Sequence, residues 1–393
     1  MILQLRLMRF RYIMASTDDR SQFVLPSDQA IVKLKVEDAF NSLSDDEKMY
    51  SHYLSQASWY GGFIVLFQTS PESPDIFLLL HSINTAETIE NLKKNVRELG
   101  LTKEEFTAYL LYCSGVYGNM GNYKGFGDSK FIPDLEVEQF EKIVFCSKAV
   151  EKNAELKDVW FRIKAPMYSL SNRDKQLGLG SKGVTKYFSA NCDDADADRV
   201  NDFFKYKNLE GYINRVIKTE ESGVIVYEIR HAAVFDSIIC QEDFKGCRFK
   251  ITTGDYAALL EKVIINLAEA IKYASNELEK NMLANYIDSF RHGCLEKHKD
   301  GSRFWIKNKG PIVETYIGFI ENYRDPVGMR GEFEGFVAIV NKKMSEKFQL
   351  LVDKVKILTF INNIRSVSSR RRLFFILCKK CKLFCSDTIT VFD

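Results

Sequence analysis

"GPIVETYIGFIENYRDPVGMRGEFEGF", Gly310 to Phe336, threads four Glu, one Asp and two Arg between β-branched and aromatic residues. Two runs have the composition of strands, Ile312 to Tyr323 and a second from Glu332 to Val340. Between them, Asp325-Pro-Val-Gly-Met-Arg-Gly331 reads as a turn, with Pro and Gly as its punctuation. Strand residues two apart share a face, so Glu314 and Tyr316 project together. A carboxylate beside a phenol in an apolar setting is costly unless each is satisfied or the face lines a cleft. A sheet whose polar face is solvated fits these features equally well.

Working outward, the pattern is one of blocks. Upstream lie two helical stretches, roughly Asp255 to Leu278 and Lys280 to Lys299, and a short strand-like run at Arg303 to Ile306. Val184 to Phe188, Val224 to Phe235 and Cys247 to Thr253 are also strand-like. Downstream, Met344, Phe348, Leu351, Val352 and Val355 share a helical stripe. The first third is helical with clear punctuation. Ser44-x-x-Glu47 and Thr102-x-x-Glu105 are capping boxes, and Gly100 stops the helix before the second of them. Helices and strands come in runs with no βαβ alternation, so the fold class is α+β.

Composition narrows the function classes. The chain has 393 residues, 55 basic and 53 acidic, a net charge of +2 that gives no reason to expect a nucleic-acid partner. Apolar runs such as Phe63 to Phe67 and Ile76 to Leu80 are too short to span a bilayer, so no membrane is expected. Six of the cysteines are scattered singly without framework spacing, which points to free thiols in a reducing compartment, the cytoplasm. The first thirteen residues hold three Arg and no acid. Both a transit-like segment and upstream sequence before a start at Met14 fit that run.

The local motifs mostly dissolve on inspection. Gly178-Leu-Gly-Ser-Lys-Gly183 fits G-x-G-x-x-G, but polar residues precede it and strand-like ones follow, so it is a turn and not a dinucleotide loop. Asp194-Ala-Asp-Ala-Asp198 lacks the Gly and the closing Glu of a calcium loop and reads as an acidic helix start. None of the five His is followed by Glu, so no H-E-x-x-H pair exists. Cys378, Cys381 and Cys385 supply three thiolates at zinc-like spacing without a fourth ligand. "YGNMGNYKGFGDSKF", Tyr117 to Phe131, is long and Gly-rich enough to be a functional loop.

"GSRFWIKNKGPIVETYIGFIENYRDPVGMRGEFEGFVAIVNKKMSEKF", with "FVLPSD", "SQASWYGGFIVLFQTSPESP", "GVYGNMGNYKGFGDSKFIP", "LGLGSKGVTKYFSANC" and "TTGDYAALL", resembles the dipeptidyl peptidase III family in order, from about Phe23 to Val355. The resemblance implies a zinc exopeptidase that releases dipeptides from the N-termini of short peptides. It implies two lobes, one on a small β-barrel flanked by helices and one helical and zinc-bearing, with the peptide pairing along a barrel strand. By the same likeness Glu314 receives the substrate's α-ammonium, Tyr316 donates its hydroxyl to the scissile carbonyl, and Phe126 lines a side-chain pocket.

The family's zinc ligands lie on His-Glu-x-x-Gly-His and Glu-Glu-Cys-Arg-Ala-Glu-type helices, and neither motif occurs here. Zinc is therefore expected in the complete family enzyme and not on this chain. The expected organisation is an extension over residues 1–22, a peptide-binding lobe over 23–340, the start of a zinc-lobe helix over 341–356 and an unrelated basic tail over 357–393. On that reading the chain is truncated before its zinc motif and inactive. The alternatives are a catalytically silent peptide-binding lobe and an interaction protein with a Cys/Arg-rich tail.

Overall fold

A computed structural model describes residues 20–28, 36–362 and 391–392. The first part is helical: α1 (Glu37–Asn41), α2 (Asp45–Thr69), α3 (Ser73–Ala86), α4 (Ile89–Glu98), α5 (Lys103–Asn119), α6 (Val137–Cys146), α7 (Lys148–Lys152) and α8 (Leu156–Tyr168). Both capping boxes form, with the Ser44 and Thr102 hydroxyls each accepting from the backbone N–H three residues on and each Glu reaching back. They fix where α2 and α5 begin. Gly100, at φ +84°, follows α4 as expected. The Gly178–Gly183 segment is a turn, with Leu177 bridging Val184 around one 3₁₀ turn.

α9 (Asp194–Lys207) starts on an Asp193 cap, so the acidic run is a helix start. A four-stranded sheet follows, in the order β1 (Asn214–Glu221), β2 (Val224–Ala232), β4 (Cys247–Asp255), β3 (Ile238–Phe244). Within it β2 and β4 run parallel while the outer pairs are antiparallel. Then come α10 (Ala257–Ile271), α11 (Glu277–His292), α12 (Leu295–Trp305), β5 (Val313–Phe319), β6 (Phe333–Ile339) and α13 (Lys342–Asn362). β5 and β6 pair antiparallel, Glu314 opposite Ala338 and Tyr316 opposite Phe336. β7 (Val391–Phe392) adds to the free edge of β6.

Three expectations need correction. Arg303 to Ile306 is the end of α12 and its C-cap, not a strand, because the helical stripe through His298, Ser302 and Trp305 outweighs the β-propensity of Phe304, Trp305 and Ile306. Val184 to Phe188 makes only isolated bridges, at Val184 and Phe188. The expected small barrel is, among the described residues, two separate open sheets, with Phe188 bridging only to Val216 of β1. Mixed α+β architecture stands. The readings that fell on Met14, Cys378, Cys381 and Cys385 lie outside the described residues. None of the described helices is long and apolar enough to cross a membrane.

The apolar residues form three clusters. One joins α2, α10, α11, β5 and β6; a second fills the space among α3 to α8; a third lies between α9 and the four-stranded sheet. α2 is the spine of the first cluster, and β6 lies on it closely enough that a Cβ on Gly61 would run into the Phe333 ring. Gly62, one residue on, meets only the Met120 methyl, at 3.6 Å. The two glycines therefore separate propensity from packing. In urea unfolding, Gly62→Ala should be neutral or stabilising by up to about 1 kcal/mol through helix propensity. Gly61→Ala should cost about 1–3 kcal/mol despite the same propensity gain, because the added methyl overpacks the contact.

Candidate peptide cleft

β5 has two unlike faces. Val313, Thr315, Ile317 and Phe319 are buried, while Glu314 and Tyr316 are half-buried on the other face. The pairing of Glu314 and Tyr316 on one strand face is thus as the period-two argument requires. α12 covers that face. Its residues His298, Ser302 and Trp305, spaced four and three apart, form one stripe, and it runs against β5 so that each meets a residue of the half-buried face. Trp305 Nε1 donates to Glu314 Oε1 at 2.8 Å, Ser302 Oγ lies 2.8 Å from the Tyr316 hydroxyl, and His298 sits over Gly318 with no space for a Cβ.

The hydrogen bonds fix the state of each group. Glu314 Oε1 also accepts from the Thr315 amide at 2.9 Å, while Oε2 accepts no bond from the described residues. Ser302 Oγ donates to the His298 carbonyl at 3.0 Å, so its oxygen accepts from the Tyr316 O–H. The Tyr316 ring is boxed edge-on by Tyr286, His298 and Trp305, at 6.1, 5.7 and 5.0 Å between centroids. His298 Nε2 donates to the Ile317 carbonyl at 2.9 Å, and burial pushes its pKa down, partly offset by that bond. Sequence reasoning missed Ser302 and Trp305, because it took Trp305 for a strand residue. The signal was the helical spacing from His298.

Phe126 lies elsewhere. It is 84 % exposed and stands at a cleft of about 360 Å³, across which its ring meets Tyr323 at 5.9 Å. Trp59 and Met120 add apolar wall, and Phe333 to Phe336 of β6 close one side. Neither Glu314 nor Tyr316 lines this cleft. They connect to it through β6, since Phe336 is the cross-strand partner of Tyr316 and directly paired residues share a face.

Carboxylates and one guanidinium supply the polar side of the cleft. Arg324 Nε is 3.2 Å from Glu332 Oε1, and both side chains are largely buried. Burial nonetheless raises the Glu332 pKa; Arg324 opposes the shift and Asp128 reinforces it. Asp128 is also raised by burial and opposed by Arg324. One cation thus faces two acids, and desolvation outweighs the ion pair. Among the described residues no group of three or more His, Cys, Asp or Glu is placed to hold a metal ion, so the zinc of the resembled family does not fit them.

Comparison with known proteins places the chain in a family. Residues 159–364 match the profile of Peptidase family M49. The chain belongs to that family. It is 47 % identical over 344 residues to Dipeptidyl peptidase 3 of Rattus norvegicus, covering 84 % of this chain and 47 % of that protein. It is 45 % identical over 364 residues to Dipeptidyl peptidase 3 of Nematostella vectensis, covering 88 % and 50 % respectively. The chain thus spans about half the length of the curated relatives it matches. The solved dipeptidyl-peptidase III from Corallococcus sp. strain EGB is similar with a TM-score of 0.46 at 15 % identity, over 86 % of this chain and 46 % of that one.

The buried imidazole gives a pH prediction. A histidine whose folded pKa is depressed contributes stability that is present above the unfolded value of about 6.5 and is lost as pH falls through the folded one. The His298 ring signals should therefore titrate with a midpoint below the ordinary value of about 6.5. Thermal stability should fall from pH 7 toward pH 5, and less steeply in His298→Gln. A His298 midpoint above the ordinary value would contradict the assignment.

Proposed function

We propose that the chain is the peptide-binding part of a dipeptidyl peptidase III-type exopeptidase, taking the N-terminal end of short peptides in the cleft beside β6. The observation that carries the reading is the shared face of the β5–β6 hairpin. Glu314, Tyr316 and Phe336 lie on it together, with Phe336 also walling the cleft. In this reading Glu314 receives the α-ammonium through Oε2, which accepts no bond from the described residues, and Trp305 and the Thr315 amide hold the carboxylate in orientation. Tyr316 donates a hydrogen bond from its hydroxyl to the scissile carbonyl oxygen as charge develops there. To do so it must exchange Ser302 for the substrate, at a cost of about 1 kcal/mol for the bond it gives up. Phe126 and Tyr323 form an aromatic side-chain pocket.

The zinc of the complete family enzyme would supply the activated water. Because His-Glu-x-x-Gly-His is absent from the sequence, hydrolysis is not expected of this chain. The lobe over residues 23–340 would bind peptide without cutting it. A cytoplasmic setting is part of the proposal, supported by six free thiols at Cys113, Cys146, Cys192, Cys240, Cys247 and Cys294.

Calorimetric titration with the pentapeptide Ala-Ala-Phe-Ala-Ala tests the reading. The free-amine peptide should bind, and its N-acetylated form should bind about 10- to 100-fold more weakly, the worth of one charge-assisted contact. Glu314→Gln should erase that difference by weakening the free-amine peptide alone. Equal binding of the two forms by the unmutated chain would contradict the role of Glu314. No binding of either would contradict the peptide cleft.

A further inference from the structure

Phe126 stands almost entirely in solvent, so its own packing cannot hold it where the cleft needs it. Its loop is fastened at the base by the Tyr123–Lys130 bridge and on the far side by the Leu177 amide, which donates to Asp128 O at 2.8 Å. On the near side the tie is a relay. Gly125 N donates to Asn119 Oδ1 at 2.9 Å, and Asn119 Nδ2 donates to Gly115 O at 2.9 Å, which fixes the amide's orientation. Separately, the Asn119 main-chain carbonyl accepts from Arg324 Nη2 at 3.0 Å. A Cβ on Gly125 would lie 3.2 Å from the same Nη2, so the loop backbone rests directly on the guanidinium.

We propose that Arg324 is a positioning residue for the cleft: its guanidinium fastens the Phe126 loop through Asn119 and so sets where the Phe126 ring stands against Tyr323. Two nitrogens of the fork hydrogen-bond to different elements. Nη1 donates to Thr69 Oγ1 at the end of α2 and Nη2 to Asn119 O at the end of α5, while Nε stands within ion-pair distance of Glu332, just before β6. Arg324 is 4 % exposed. A planar fork holds two such bonds in fixed directions; an ammonium keeps the charge and loses the geometry. Tyr323, the ring opposite Phe126, is the residue next to Arg324. One side chain therefore ties both aromatic walls of the pocket to one frame. The consequence for ligands rests on the peptide-binding reading, while the positioning itself does not.

The test needs no ligand to begin. Placing 4-fluorophenylalanine at position 126 gives one fluorine resonance, and Tyr323→Leu shows how far the stacked ring shifts it. In Arg324→Lys, checked for folding by circular dichroism, the resonance should move toward the free amino acid and narrow. Pentapeptide affinity should fall about tenfold, the cost of ordering a released loop on binding. If Arg324→Lys does not fold, Asn119→Ala removes only the side-chain relay and should release the resonance with Arg324 in place. An unchanged resonance in either folded variant overturns the proposal, and a released resonance with unchanged affinity overturns its consequence for ligands. If the unmutated chain binds no pentapeptide, the functional reading fails, and the fluorine signal still decides whether Arg324 positions the loop.

Discussion

The loop between β5 and β6 is thirteen residues long, and one buried ion pair keeps it from being slack. Asp325 accepts from the Met329 and Arg330 amides at 2.8 Å each, and the Gly328 amide closes an i to i+3 turn on its carbonyl at 2.9 Å. Arg330, fully buried, lies 3.4 Å from Asp325 and donates to Asn214 Oδ1 at 3.1 Å, with its guanidinium 4.3 Å over the Phe188 ring. A guanidinium out of water is tolerable only with such a carboxylate, an acceptor and a π-face together. The loop is thus pinned to the four-stranded sheet. From the same turn Arg324 reaches α2 and α5, and Gln68 of α2 brackets Gly331 O and Phe333 N at 2.9 Å each. The three apolar clusters are joined at this turn.

That junction explains why the candidate site is split between two places. The hairpin presents Glu314 and Tyr316 on β5 under α12, where their polar atoms find Trp305 and Ser302. The long turn carries Tyr323 and Arg324 away from the sheet to meet the Phe126 loop. β6 belongs to both, through Phe336 on the shared face and Phe333 against α2.

Much of this was legible in residue patterns, and the misses have physical causes. Capping boxes are local chemistry, so Ser44 and Thr102 marked their helices without reference to the rest of the chain. The face shared by Glu314 and Tyr316 follows from strand period alone. By contrast Asn214 to Glu221 is too charged to read as a strand; it forms β1 because Asn214 and Val216 are buried while Thr219, Glu220 and Glu221 face water. The parallel pairing of β2 with β4 is a long-range choice that no short window contains. Trp305 was misread because aromatic and β-branched neighbours imitate a strand when the helix stripe behind them is overlooked. The Arg330–Asn214 contact joins residues 116 apart, and only the fold reveals it.

The account stands or falls on the buried turn. Arg330→Met, which keeps the apolar bulk over Phe188 and leaves Asp325 without its cation, should be compared with the parent chain by urea unfolding monitored through intrinsic fluorescence. Removing one partner of a buried pair should cost about 3–5 kcal/mol, with the four-stranded sheet losing its cooperativity with the helical clusters. A change within about 1 kcal/mol, with a single unaltered transition, would show that the turn follows the fold and does not hold it together.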